Sequence, residues 1–175
     1  MVAILRNLGD QSLRALFDFE KGLVSREVYV HPEIYQWELE RIFARCWLFL
    51  GHESQIPNPG DFAVTRMGEE EVILVRAHRD KRINAFLNSC MHRGMKVCRY
   101  DDGNTLVFTC PFHGWSYDTD GRLVGVAYYD AAYQDGQLDK SQFGLREVAQ
   151  LCNYYGSIWA TWDPKAPPFE EYLGP

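Results

Sequence analysis

Apolar positions recur along the chain in two registers. Between Asp10 and Lys21, Leu13, Leu16 and Phe17 fall three and four residues apart, which predicts a short helix broken at Gly22. His31-Pro32-Glu33-Ile34 opens a longer one: proline suits the first helical position, and Ile34, Trp37, Leu39, Ile42 and Phe43 give an apolar side as far as about Arg45. Beyond Arg45 the pattern changes to short apolar runs. Expected strands are Trp47–Gly51, Phe62–Val64, Val72–Val75, Ile83–Leu87, Leu106–Phe108, Trp115–Tyr117, Leu123–Val124 and Ser157–Trp162. Pro57–Gly60, Gly68-Glu69, Arg79–Arg82 and Asp118–Gly121 are the polar turns among them, and turns this tight join antiparallel neighbours. The expected fold class is therefore mainly β, with antiparallel sheets and N-terminal helices. The chain divides into a helical segment over 1–45, a β domain over 46–163, and a stiff Pro-rich stretch over 164–175 that reads as a linker.

Composition narrows the function classes. At 175 residues, 46% hydrophobic and 14% aromatic, the chain has the length and apolar content of one packed domain. No apolar run approaches the length of a membrane span, and Met1–Asn7 lacks a basic segment followed by an apolar one, so neither a membrane helix nor a secretory signal is expected. With 18 Lys and Arg against 24 Asp and Glu, the net charge of −6 disfavours nucleic acid as a partner. Five cysteines are too few for a disulfide scaffold of this size, which makes a reducing cytoplasm the expected compartment and leaves metal or thiol roles open.

The chemistry concentrates in two loops that each pair a cysteine with a histidine. Cys90-Met91-His92-Arg93-Gly94 is followed, after 17 intervening residues from His92, by Cys110-Pro111-Phe112-His113-Gly114-Trp115. Thiolate and imidazole are ligands for borderline and soft metals, and two per loop make four. One reading is a tetrahedral zinc ion. The other is a Rieske [2Fe-2S] centre, in which two thiolates hold one iron and two imidazoles hold the other. A zinc finger groups its cysteines in one knuckle and its histidines in another, whereas each loop here contributes one of each. Glycine directly behind the ligands also lets backbone amides close on an inorganic sulfide. Two ferric ions, two sulfides and two thiolates sum to zero charge, so neutral imidazoles leave the reduced cluster with a single negative charge and a raised potential.

Cys90-Met91-His92-Arg93-Gly94-Met95 together with Cys110-Pro111-Phe112-His113-Gly114-Trp115-Ser116-Tyr117-Asp118 resembles the Rieske signature of bacterial aromatic ring-hydroxylating dioxygenases. Glu40–Glu53, Ile56–Phe62 and Ala166–Gly174 also resemble their large (α) subunits of the naphthalene and biphenyl type. The resemblance implies a Rieske fold with a cluster-binding subdomain over 46–163. It implies that Cys90 and Cys110 hold an inner iron and His92 and His113 an outer, redox-active one, with Arg93, Gly94 and Trp115 around them. Met95 and Phe112 stand where respiratory Rieske proteins carry a bridging disulfide, which favours the oxygenase or ferredoxin type of cluster.

The same resemblance implies partners. Electrons would arrive from a reductase, usually by way of a ferredoxin, and leave for a mononuclear Fe(II) in the catalytic domain of a neighbouring α subunit, in a trimer that in some cases includes β subunits. The family holds that iron through Asp-x-x-His-x-x-x-x-His, and the remaining histidines, His31, His52 and His78, do not form the pattern. The chain by itself is therefore expected to move electrons and not to hydroxylate, with 164–175 leading toward a catalytic domain it does not contain. A self-standing Rieske ferredoxin is the alternative, and such carriers rarely have a helical front piece or a Pro-rich exit.

Arg76, Arg79, Lys81, Arg82, Arg93, Lys96 and Arg99, against Asp80 alone, make residues 76–99 about +6 and leave about −12 to the rest. That charge either steers an acidic donor protein to the first loop or is a set of solvated turn residues. Cys46, Cys98 and Cys152 are expected as buried small hydrophobes, Trp47, Phe49, Trp115, Trp159 and Trp162 as core, and His52 and His78 as surface or capping residues. Tyr128-Tyr129-Asp130 is a candidate contact with a neighbouring subunit.

Overall fold

The computed structural model describes residues 13–133 and 137–175. Its centre is a four-stranded antiparallel sheet of β4 (Asp61–Met67), β5 (Glu70–Arg76), β6 (Ile83–Leu87) and β7 (Asp102–Asn104), in the order β6-β5-β4-β7. A second sheet has the order β11-β12-β3, from β3 (Leu48–His52), β11 (Gln150–Tyr154) and β12 (Ser157–Thr161). A third, β10-β9-β8, consists of β8 (Val107–Thr109), β9 (Ser116–Asp118) and β10 (Leu123–Gly125).

Strand β5 explains how these layers cohere. Val72, Ile73, Leu74 and Val75 are all fully buried, although side chains on a strand alternate between its faces. Ile73 and Val75 enter one core with Phe62, Phe86, Phe108, Trp115 and Tyr117, and this core includes Cys90 and Cys110. Val72 and Leu74 enter the opposite core with Leu50, Ile56, Met67, Ala85, Ile158 and Ala160. An uninterrupted apolar run is what a strand covered on both sides requires. The candidate metal loops are thus fastened to one face of the central sheet and the β11-β12-β3 sheet to the other.

The front of the chain departs from expectation. Of the helix expected over Asp10–Lys21, residues 10–12 lie outside the described residues, residues 13–14 are helical, and the chain then passes into a hairpin, β1 (Phe17–Asp18) paired with β2 (Leu23–Val24). Gly22 takes φ +64°, and the Asp18 carboxylate accepts from the Lys21 amide at 3.0 Å. This turn chemistry outweighs a periodicity of only three apolar residues. The described part of this segment, residues 13–45, is therefore part hairpin and part helix. Helical turns span Glu27–Val30 and Pro32–Glu38, the latter capped by the His31 ring, whose Nδ1 accepts from the Glu33 amide at 3.2 Å. A wider π turn over Leu39–Phe43 then closes the segment. It lays Phe43 and Leu39 on Gly68, where an added Cβ would stand 3.1 Å from Phe43 Cβ.

The expected strands from Leu48 to Thr161 are present, and β7 and β11 are additions. Gln150–Tyr154 has little apolar alternation and is held by its register with β12, from Gln150 opposite Thr161 to Tyr154 opposite Ser157. The stretch 164–175, expected as a linker, lies against the body. Trp47 Nε1 donates to Pro167 O at 2.9 Å, Gln150 Nε2 to Ala166 O at 2.9 Å, and the helix Phe169–Leu173 buries Phe169 against Trp47 and Trp159. Phe49 is 53% exposed rather than core, because it points from β3 to the open face beside Trp159. Among the described residues no helix is long and apolar enough to cross a membrane.

Candidate metal centre

The two Cys-His loops close by the same backbone device. In the first, Cys90 N donates to Met95 O at 2.8 Å and Gly94 N to Cys90 O at 2.8 Å. In the second, Cys110 N donates to Trp115 O at 2.8 Å and Gly114 N to Cys110 O at 3.0 Å. Both glycines have φ +71°, a conformation costly for any residue with a Cβ. The cysteines occupy equivalent positions of the two turns, while His92 stands two residues and His113 three residues after its cysteine.

The turns bring all four side chains to one place. Cys90 and Cys110 are 3% and 2% exposed, and the His92 and His113 ring centroids lie 4.7 Å apart toward the surface. Burial pushes the Cys90 thiol above its ordinary pKa, opposed by hydrogen bonds from the Tyr117 hydroxyl and the His92 amide. Burial, then the neighbouring His113 and Arg93, hold His92 below the usual imidazole value and so favour the neutral ring. His92 Nδ1 is buried without a hydrogen-bond partner, an unmet ring nitrogen of the kind a metal satisfies. Cys90 and Cys110 lie close enough to perturb one another, and His92 and His113 face each other, so the donors fall into a thiol pair and an imidazole pair. That donor set fits a two-iron cluster, whose irons take two protein ligands each, better than a single tetrahedral ion.

Aromatic rings wall the site. Trp115 is 3% exposed and stacks on His92 with centroids 4.9 Å apart at 12°, while Phe143 meets Trp115 edge-on. Phe112 lies 3.9 Å from the His113 ring, and with Met91 and Met95 it forms an exposed apolar rim. Two participants were not singled out from the sequence. Tyr117, fully buried, accepts from Met91 N at 3.1 Å and places its hydroxyl 3.3 Å from Cys90 Sγ. A Cys90 thiolate can only accept, so with the sulfur deprotonated to hold iron the hydroxyl proton would be directed at it. The other is Asn88, at the base of the first loop. The inward side of β9 was the available signal for Tyr117; for Asn88 the sequence offers none.

The remaining candidates separate. Arg79 pairs with Asp120 at 3.3 Å, Lys96 with Glu71 at 2.7 Å, Arg82 bonds Asn84, and Arg76 bonds the Ile56 and Lys81 carbonyls. Lys81, Arg93 and Arg99 have no acidic partner within 4.0 Å among the described residues. All five cysteines are free; Cys98 is buried, whereas Cys46 and Cys152 are only partly so. Trp47 is core, and Trp159 and Trp162 are half-buried. His52 caps residues 53–55, with Nδ1 accepting from Ser54 N, and His78 Nε2 lies 3.2 Å from Thr105 O. Tyr128 is 86% exposed in a left-handed conformation, while Tyr129 donates to Leu138 O at 2.7 Å.

Comparison with known proteins agrees with this geometry. The profile of the Rieske [2Fe-2S] domain matches residues 46–140. The α subunit of biphenyl dioxygenase from Metapseudomonas furukawaii is 46% identical over 173 residues, covering 96% of this chain and 37% of the relative. The α subunit of the N,N-dimethyl phenylurea N-demethylase from a Sphingobium species is 40% identical over 155 residues, covering 89% of this chain and 33% of the relative. Naphthalene 1,2-dioxygenase from a Rhodococcus species superposes with a TM-score of 0.82 at 40% identity, over 96% of this chain and 39% of that one. The chain thus spans between a third and two fifths of the length of these relatives.

Proposed function

The chain belongs to the Rieske [2Fe-2S] family, and from that premise we propose that it carries single electrons inside an aromatic ring-hydroxylating dioxygenase. Its donor is a ferredoxin or reductase. Its acceptor is a mononuclear iron in the catalytic domain of a neighbouring α subunit, within a trimer that can include β subunits. Cys90 and Cys110 are assigned to one iron and His92 and His113 to the other, with Arg93, Gly94 and Trp115 around them. The observation that carries the reading is the pairing itself: two loops closed alike present two buried thiols beneath two adjacent imidazoles.

When bound, the cluster supplies reversible one-electron transfer. The chain's own residues set the conditions for it. Gly94 and Gly114 turn the backbone so that the loops close without a Cβ, Tyr117 directs a hydroxyl at Cys90, and Trp115 fixes the plane of the His92 ring. The burial of both cysteines excludes water from the thiol side. His113 is exposed within the rim of Phe112, Met91 and Met95, which offers a partner close approach on the imidazole side. Arg93 and Arg99, unpaired near the first loop, add positive charge for steering an acidic donor, an effect that salt screens. Substrate choice lies elsewhere in the assembly, since one similar relative is named for a biphenyl dioxygenase and another for an N-demethylase.

The test is a visible absorption and low-temperature EPR spectrum of the purified chain, oxidised and then dithionite-reduced, with iron and zinc measured on the same sample. Two irons per chain and a reducible chromophore with a Rieske EPR signal are expected. A colourless chain holding one zinc ion would overturn the reading.

A further inference from the structure

The two ligand loops are closed alike but based differently. The second loop sits on a hairpin: β8 and β9 pair from Val107 opposite Asp118 to Thr109 opposite Ser116, so a backbone ladder leads directly to Cys110. The first has no such ladder. After β6 the chain runs through Asn88 and Ser89 into Cys90, and it returns through Val97 and Cys98; the bonds that join these two stems come from one side chain. Asn88 Oδ1 accepts from Val97 N at 3.1 Å and Cys98 N at 2.8 Å, while Nδ2 donates to Cys98 O at 2.8 Å. The amide orientation follows from its partners, since a flipped group would face two N–H donors with its own.

This clamp is itself anchored. Asn88 N donates to Glu71 O at 2.8 Å, and its Nδ2 lies 3.3 Å from Glu71 Oε2. The same carboxylate holds Lys96, inside the returning stem, at 2.7 Å. Asn88 is 6% exposed, so water cannot replace its bonds readily. We infer that Asn88 is the positioning residue of the first loop, performing with one amide the task that the β8–β9 ladder performs for the second, and that it fixes Cys90 and His92 for the cluster. The inference rests on the Rieske reading and adds to it the element that makes the two half-sites equally rigid.

Asn88→Leu keeps the branching of the side chain and removes all of its side-chain hydrogen bonds. Asn88→Asp keeps the two accepted bonds, loses the donations to Cys98 O and Glu71 Oε2, and sets its carboxyl beside that of Glu71. The cluster-loaded chain and both variants are mixed with excess iron chelator, and loss of visible absorbance is timed while far-UV circular dichroism reports the fold. Asn88→Leu is expected to release its cluster about tenfold faster and Asn88→Asp about threefold faster, since local opening of the loop loses fewer bonds. Thr109→Val, which removes a side-chain bond from the second stem but leaves its ladder, is expected to stay within about twofold of the parent. The EPR line of the cluster retained by Asn88→Leu is expected to broaden while the dichroism is unchanged, and Asn88→Asp to restore part of its sharpness. A folded Asn88→Leu chain with parental release and line shape overturns the inference. If that variant does not fold, parental behaviour of Asn88→Asp overturns it equally. An unsubstituted chain that binds no two-iron cluster overturns the Rieske reading first, before any variant is compared.

Discussion

Removing one oxygen atom tests the thiol side of the site. Tyr117→Phe leaves the ring in the core and deletes the hydroxyl that lies 3.3 Å from Cys90 Sγ and 3.1 Å from Met91 N. A hydrogen bond to a charged acceptor contributes about 1.5–3 kcal/mol. Reduction adds a negative charge to the cluster, so the bond is stronger in the reduced state; taking about a third of it as the difference gives about 0.5–1 kcal/mol. For a one-electron couple, 59 mV corresponds to about 1.4 kcal/mol, and the potential is expected to fall by about 20–40 mV. Protein-film voltammetry or an EPR-monitored titration at neutral pH measures this directly. The fold should lose about 1 kcal/mol as well, because the Met91 amide loses its acceptor, and urea unfolding reads that loss separately. A potential that is unchanged or raised, in a chain that still holds its cluster, would refute the assignment of the Tyr117 proton to Cys90.

Three further expectations concern other parts of the chain. His113→Cys replaces a neutral ligand by a thiolate and is expected to lower the potential and alter the EPR signal; an unaltered signal would remove His113 from the ligand set. Gly121→Ala places a Cβ 2.5 Å from the Phe86 ring at φ +78°, and a loss of about 3 kcal/mol in urea unfolding is expected, whereas parental stability would mean that the Phe86 core yields freely. Asp61 is held below the usual carboxyl range by hydrogen bonds first from Asn104 and then from Asn58. A pKa depressed on folding contributes stability that is present above about pH 4, the unfolded value, and is lost as pH falls through the folded one. Asp61→Asn should therefore flatten part of the acid limb of a stability-against-pH profile, and an identical limb would show that Asp61 makes no such contribution.

The two Cys-His loops were legible in the sequence because their turn chemistry is local. Cysteine, histidine and a glycine able to take φ +71° all lie within five residues of each other in each loop, so spacing alone reports the turn and its donors. The same holds for Val72–Val75 as a strand, though its burial on both faces emerged only from the two cores that its side chains enter. Basic residues were legible only as a net charge. Their meaning depended on which of them met Asp120, Glu71 or a carbonyl from another strand.

What the tertiary structure decided involves partners far apart along the chain. Leu13, Leu16 and Phe17 suggest a helix by spacing, but Gly22 and the Asp18 cap make a hairpin, since a marginal helix cannot outweigh a well-formed turn. β11 has no strand pattern of its own and exists through its register with β12. The stretch after Asp163 reads as a linker until Trp47, 120 residues away, donates to Pro167 O. Tyr117 reaches back 27 residues to Cys90, and Asn88 reaches forward 10 to Cys98. The sequence alone thus determined which groups could bind a metal, because turn geometry and ligand chemistry are properties of neighbouring residues. Only the fold decided how firmly those groups are held and which hydrogen bonds tune them, because those contacts form when separate strands are brought together on a shared core.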